Sequence, residues 1–141
     1  MYKRILVPLE NSPHDDAILQ HIRELVRGSD ATLLLLHVAD GFTARNYRQL
    51  NLRESEEMQQ DRAYLERICA ALLAEGYDAE PLLGAGDPAR EIAATAEREH
   101  CDLIAMATHG HRGIQDVLYG STASEVRHLT RIPVLMVRSK L

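Results

Sequence analysis

At 141 residues, 45% hydrophobic and 26% charged, the chain has the size and composition of one globular domain, 1–141, able to bury its own core. With one Phe and no Trp, that core has to be aliphatic. The net charge of −5 divides into −8 over residues 1–107 and +3 over 108–141, which suits a small anionic ligand and excludes the broad basic face of a nucleic-acid binder.

Ile5-Leu6-Val7-Pro8 is a short continuous apolar run, the signature of a strand buried on both faces, and Pro8 ends it. Turn chemistry at Asn11-Ser12-Pro13 leads into a helix whose inner side is predicted to carry Ala17, Ile18, Ile22, Leu25 and Val26; Gly28-Ser29-Asp30 stops it. Ala31 to Val38 reads as a second buried strand. From Asp40-Gly41 to about Arg53 the sequence is polar and predicts a long loop. An amphipathic helix follows, with Met58, Leu65, Ile68, Leu72 and Leu73 facing inward, and Gly76 closes it.

Asp78 to Leu83 is a weaker strand, and Pro81 inside it predicts an edge position, because proline cannot donate into a ladder. Asp87-Pro88 opens the next helix as N-cap and first helical residue, with Ile92, Ala93 and Ala96 inward. Asp102 to Ala107 is the fourth strand. Residues 108–122 then read as a glycine-bearing loop, Ala123 to Leu129 as a helix, and Pro133 to Arg138 as the fifth strand.

Strands alternating with helices, joined by connections long enough to be right-handed crossovers, predict an α/β fold: a single-domain, doubly wound, five-stranded parallel sheet with helices on both faces. Two strand orders are common for such sheets, one with its switch point between strands one and three, the other, 3-2-1-4-5, between one and four. An edge-placed third strand and a glycine loop after the fourth both favour 3-2-1-4-5. That order sets Leu9 and Glu10 opposite the glycine loop.

Phosphate binding requires close backbone approach and convergent donors, and Gly120-Ser121-Thr122 at a helix start offers both. The plain structural alternative is that Gly110 and Gly113 only shape a turn, with Thr122-x-x-Glu125 an ordinary capping box. His109, His111 and Arg112 lie within the loop, Arg112 being the natural charge partner of a phosphate. His37 is expected to be a satisfied strand-end histidine. Glu10 can accept hydrogen bonds from a ribose or base. There is no metal-ligand spacing, no G-x-S-x-G and no G-x-x-x-x-G-K-[ST].

Over essentially its full length the chain resembles the universal stress protein (UspA-like) family. The resemblance is carried by Lys3 to Pro8, Leu36-His37-Val38, Gly86-Asp87-Pro88-Ala89, and Ile132 to Val137. Most specific is Ala107-Thr108-His109-Gly110, nine residues, then Gly120-Ser121. This is similar to the G-x-x-G-x9-G-[ST] pattern of the family's nucleotide-binding branch, with Ala107 in place of the first glycine. The resemblance implies the adenine nucleotide alpha hydrolase-like fold and ATP, or AMP or ADP, at the switch point, with Mg2+ or Mn2+ bound through the phosphates. Pro8, Leu9, Glu10, the backbone of Val38, and Met106 with Ala107 would line the adenine and ribose side. His109, Gly110, Arg112, Gly113, Gly120, Ser121 and Thr122 would hold the phosphates. Glu10 stands where the family has an aspartate.

The implied role is a regulatory or stress-response switch read by a protein partner, with at most slow ATP hydrolysis and no catalytic residue of its own. A dimeric scaffold with a vestigial site, or a small-molecule enzyme or phosphotransferase using His109 or Glu10 as acid–base, are the alternatives. An apolar edge over 133–138 invites aggregation unless covered, and the resemblance implies a homodimer through that strand. Cys69 and Cys101, far apart and in no metal spacing, fit a reducing compartment. With no apolar run long enough to span a bilayer and no visible signal peptide, a cytoplasmic protein without membrane insertion is expected.

Overall fold

The computed structural model describes the backbone over residues 1–40, 52–108 and 114–141, and side chains over 1–39, 56–108 and 122–141. Its elements are β1 (Arg4–Pro8), α1 (Asp15–Leu25), β2 (Thr32–Asp40), α2 (Leu52–Ala74), β3 (Asp78–Gly86), α3 (Pro88–Arg98), β4 (Leu103–Thr108), α4 (Ile114–Leu129) and β5 (Val134–Arg138). The five strands form one parallel sheet in the order β3-β2-β1-β4-β5. Pro81 does lie on an edge strand, opposite Leu35 of β2. The ladder runs further than its sequence suggests: Gly84, Ala85 and Gly86 pair with Val38, Ala39 and Asp40.

Alternation along the strands divides the core in two. Ile5, Val7, Leu33, Leu35, Leu103 and Ala105 pack with Ile18 and Ile22 of α1 and Leu65 and Leu72 of α2. Leu6, Leu34, Leu36, Ile104 and Met106 pack with Ile92 and Ala96 of α3 and Ala123 and Val126 of α4. Strands buried on both faces account for their continuous apolar sequences.

Three expectations are corrected. Leu25 is exposed, and Leu19 takes the buried place on α1; Leu73 is exposed while its neighbour Leu72 is fully buried. Successive helical residues point about 100° apart, so a narrow stripe holds only one of two adjacent leucines. The third correction concerns α4, which starts at Ile114 instead of Ala123. Gly120, Ser121 and Thr122 therefore belong to helical backbone, and Thr122 cannot cap its start. Ile114, Val117 and Leu118 recur at spacings of three and four, a pattern that outweighs the roughly 1 kcal/mol cost of glycine within a helix. The loop expected over 41–51 and the glycine turn at 109–113 lie outside the described residues.

Candidate nucleotide site at the switch point

In a parallel sheet every strand ends on the same side and hands over to a helix there, so the C-terminal edge collects strand ends and helix starts. Strand order reverses between β1 and β4, and their connections leave toward opposite faces of the sheet. A cavity of about 420 Å³ opens at this place. Its floor is Pro8 and Leu9 after β1, Leu36 and Val38 on β2, and Met106 and Ala107 on β4. The first turns of α3 (Asp87, Pro88, Ile92) and the middle of α4 (Thr122, Glu125) form the other side. That volume falls within the range of small-ligand pockets.

Of the residues expected at the site, Pro8, Leu9, Glu10, Val38, Met106, Ala107 and Thr122 all line this one cavity. His109, Gly110, Arg112 and Gly113 lie outside the described residues, as does the side chain of Ser121; of Gly120 only the helical backbone is described. Asp15, His37, Asp87, Ile92 and Glu125 also line the cavity and were not expected there. Asp87 and Pro88 had a usable signal: a helix start following β3 must lie on the strands' C-terminal side. Asp87 caps α3 by accepting the Arg90 backbone N–H at 3.1 Å.

Among the described residues the β1–α1 turn is the most heavily hydrogen-bonded wall. Leu9 extends the ladder past β1, its N–H donating to the Leu36 carbonyl at 2.7 Å. Asn11 then adopts φ 63°, a left-handed conformation that asparagine tolerates better than most residues. Asp15, 1% exposed at the first position of α1, gathers the turn. Its carboxylate accepts the backbone N–H groups of Glu10 at 3.0 Å, Asn11 at 2.9 Å and Ser12 at 3.3 Å, and the Tyr64 hydroxyl at 2.6 Å. Burial raises the Asp15 pKa from its ordinary value and these hydrogen bonds oppose the rise. Burial and the bond to Asp15 push the Tyr64 phenol well above its usual range, so it remains a donor.

Two further contacts brace the same turn. His37 lies with Nδ1 2.9 Å from the Leu9 carbonyl and Nε2 3.2 Å from Asp61 Oδ2. A carbonyl only accepts, so Nδ1 is the donor; Nε2 donates to Asp61 when the ring is doubly protonated. His37 is thus a hydrogen-bonded strand histidine, lying within β2 and not at its end, since the strand continues to Asp40. Asp61 also accepts from the Asn11 side-chain amide at 3.0 Å. Within the turn the Ser12 hydroxyl donates to Glu10 Oε1 and accepts the His14 backbone N–H.

Chemically the described wall is apolar with carboxylates at its rim, and no lysine or arginine lines it among the described residues. Neither cysteine touches it; both are buried, and burial pushes the Cys101 thiol up to about 11, far from thiolate reactivity. Among the described residues no group of three or more His, Cys, Asp or Glu is placed to hold a metal ion. None of the described helices is long and apolar enough to cross a membrane.

The sequence model of the universal stress protein family matches residues 1–138 of the chain. A universal stress protein of Methanocaldococcus jannaschii is 27% identical over 157 aligned residues, which span 99% of this chain and 97% of that one. The solved structure of that protein superposes with a TM-score of 0.86 at 28% identity, covering 99% of this chain and 98% of the other. UspA of Lactobacillus plantarum shares the fold at a TM-score of 0.80 and 22% identity, with 97% and 98% covered. So does an Archaeoglobus fulgidus universal stress protein solved in complex with dAMP, at 0.69 and 18% identity, with 96% and 98% covered.

Proposed function

Because the chain belongs to the universal stress protein family, we propose that its switch-point cavity holds an adenine nucleotide, ATP in the first instance, and that the protein works as a nucleotide-dependent regulatory switch. The observation that carries this reading is the convergence of seven of the expected site residues, from three strand ends and α4, on one cavity of about 420 Å³. Val38, Met106 and Ile92 offer an apolar slot for a flat base. Glu10, across from Ala107, offers a carboxylate to ribose hydroxyls. An acidic rim is wrong for triphosphate, so the phosphates are assigned, from sequence, to Arg112 and the motif glycines. The Archaeoglobus fulgidus relative, with the same fold, was solved with an adenine nucleotide bound.

Mg2+ or Mn2+ would arrive on the phosphates. Asp15 is already committed to four hydrogen bonds and has little left for a metal. No general base placed for rapid hydrolysis is part of this reading, so a bound nucleotide persists long enough to be sensed by a partner. Calorimetric titration with ATP, ADP and AMP, each with and without Mg2+, tests it. Saturable one-site binding of at least one nucleotide is expected. Flat titrations with all three, together with no nucleotide released on denaturation, would sink the reading. Turnover faster than about one per second would move it to an enzyme.

We also read β5 as the surface where two copies meet. It is an edge strand on which Met136 is 45% exposed and no charge falls before Arg138. Antiparallel pairing with a second β5 covers the open ladder. Met136→Asp should shift sedimentation from dimer to monomer; a wild-type protein that sediments as a monomer rules this surface out.

A further inference from the structure

We infer that α2 sets the affinity of this site through two positioning residues, Asp61 and Tyr64, which hold the Leu9–Glu10 peptide from behind. The inference rests on the nucleotide-binding reading. That peptide unit is held at both of its polar groups. Its carbonyl, on Leu9, accepts from His37 at 2.9 Å, and its N–H, on Glu10, donates to Asp15 at 3.0 Å. Each of those side chains is backed by α2: Asp15 by the Tyr64 hydroxyl at 2.6 Å, and His37, in its doubly protonated form, by Asp61 at 3.2 Å. Asp61 and Tyr64 are three apart, which puts them on the same face of α2.

The consequence is directional. Rotating the 9–10 peptide plane would break both contacts at once, and that plane fixes where the Glu10 side chain leaves the backbone. Asp61 adds a third hold through the Asn11 side chain, on the residue that follows. No part of α2 lines the cavity among the described residues, so its effect on a ligand passes through this peptide. Linkage makes the coupling reciprocal: whatever strengthens the docking of α2 tightens nucleotide binding, and nucleotide binding steadies α2. A partner that grips α2 can therefore read site occupancy without touching the ligand.

Tyr64→Phe keeps the ring and removes only the hydroxyl, and Asp61→Asn keeps the shape and removes the charge. Each should weaken Mg-ATP binding about five-fold by titration. Because both act through Glu10, Tyr64→Phe combined with Glu10→Gln should bind no more weakly than Glu10→Gln alone. Multiplying penalties would show a merely structural effect and overturn the inference. Amide hydrogen exchange without nucleotide gives a second readout. Tyr64→Phe should speed exchange at Glu10, Asn11 and Ser12 relative to the β1 amides, and unchanged rates there would also overturn it. Wild-type protein that binds no nucleotide defeats the functional reading, whereas wild-type binding with unaffected variants defeats only the role of α2.

Discussion

Asp15→Ala should lower the free energy of unfolding by about 3 kcal/mol, the larger part of it from donors left facing an empty space. Three backbone N–H groups and one phenol lose their acceptor together. Asp15→Asn keeps one acceptor oxygen and should cost about half as much. Urea unfolding measures both, and an Ala variant within about 0.5 kcal/mol of wild type would show that the turn holds itself.

The pH dependence separates charge from shape. The Asp15 pKa is raised on folding, burial outweighing the hydrogen bonds. Folding therefore favours the protonated form. The stabilisation linked to that proton is fully present below the ordinary value of 3.8 and is lost as pH rises through the higher folded-state value. Asp15→Asn cannot titrate, so the difference in stability between it and wild type should widen in the variant's disfavour as pH falls through that window. A difference that narrows instead would mean that the hydrogen bonds outweigh burial.

The sheet order was legible chiefly from one proline, because a residue without an N–H is a backbone constraint that packing cannot supply. Pro81 pointed to an edge strand, which favoured 3-2-1-4-5, and the glycine loop after the fourth strand pointed the same way. The cavity floor was legible for the same reason: strand ends at a switch point are set by topology. Asp15 was not legible. Asp15 and Asp16 are identical in sequence, yet one is 1% exposed and the other lies on the surface. Asp15 is distinguished by three N–H groups of the preceding turn and by Tyr64, 49 residues away, and no local pattern encodes the last contact. Helix phase was misjudged at Leu25 and Leu73 because each adjoins a residue that is buried. At α4 the glycine of a binding pattern resembles a loop signal, although glycine is compatible with a helix whose apolar spacing continues through it.

The sharpest separation of site from scaffold comes at Val38. Val38→Trp should weaken nucleotide binding by about 100-fold, about 2.7 kcal/mol, while shifting the melting temperature by no more than about 3 °C. Val38 shares the α3 face of the sheet with Leu36, and its partner across the ladder is Gly84 on β3. Toward β3 there is no room for an indole. Even a methyl placed on Gly84 would come within 3.1 Å of Glu91 Cγ and 3.5 Å of Leu36 Cδ1. The open direction is the cavity, where about 420 Å³ accepts the ring without displacing core side chains. The overpacking penalty that a larger residue usually brings to a full core is accordingly avoided. The indole then occupies the slot between Met106 and Ile92 in which the base is proposed to lie. Asp15→Ala should unfold the protein early and also weaken binding by freeing the Glu10 N–H, whereas Val38→Trp should leave folding alone and remove the ligand's place. A Trp variant that still binds ATP with wild-type affinity would put the base elsewhere, and the acidic rim at Glu10 would lose its assigned ribose.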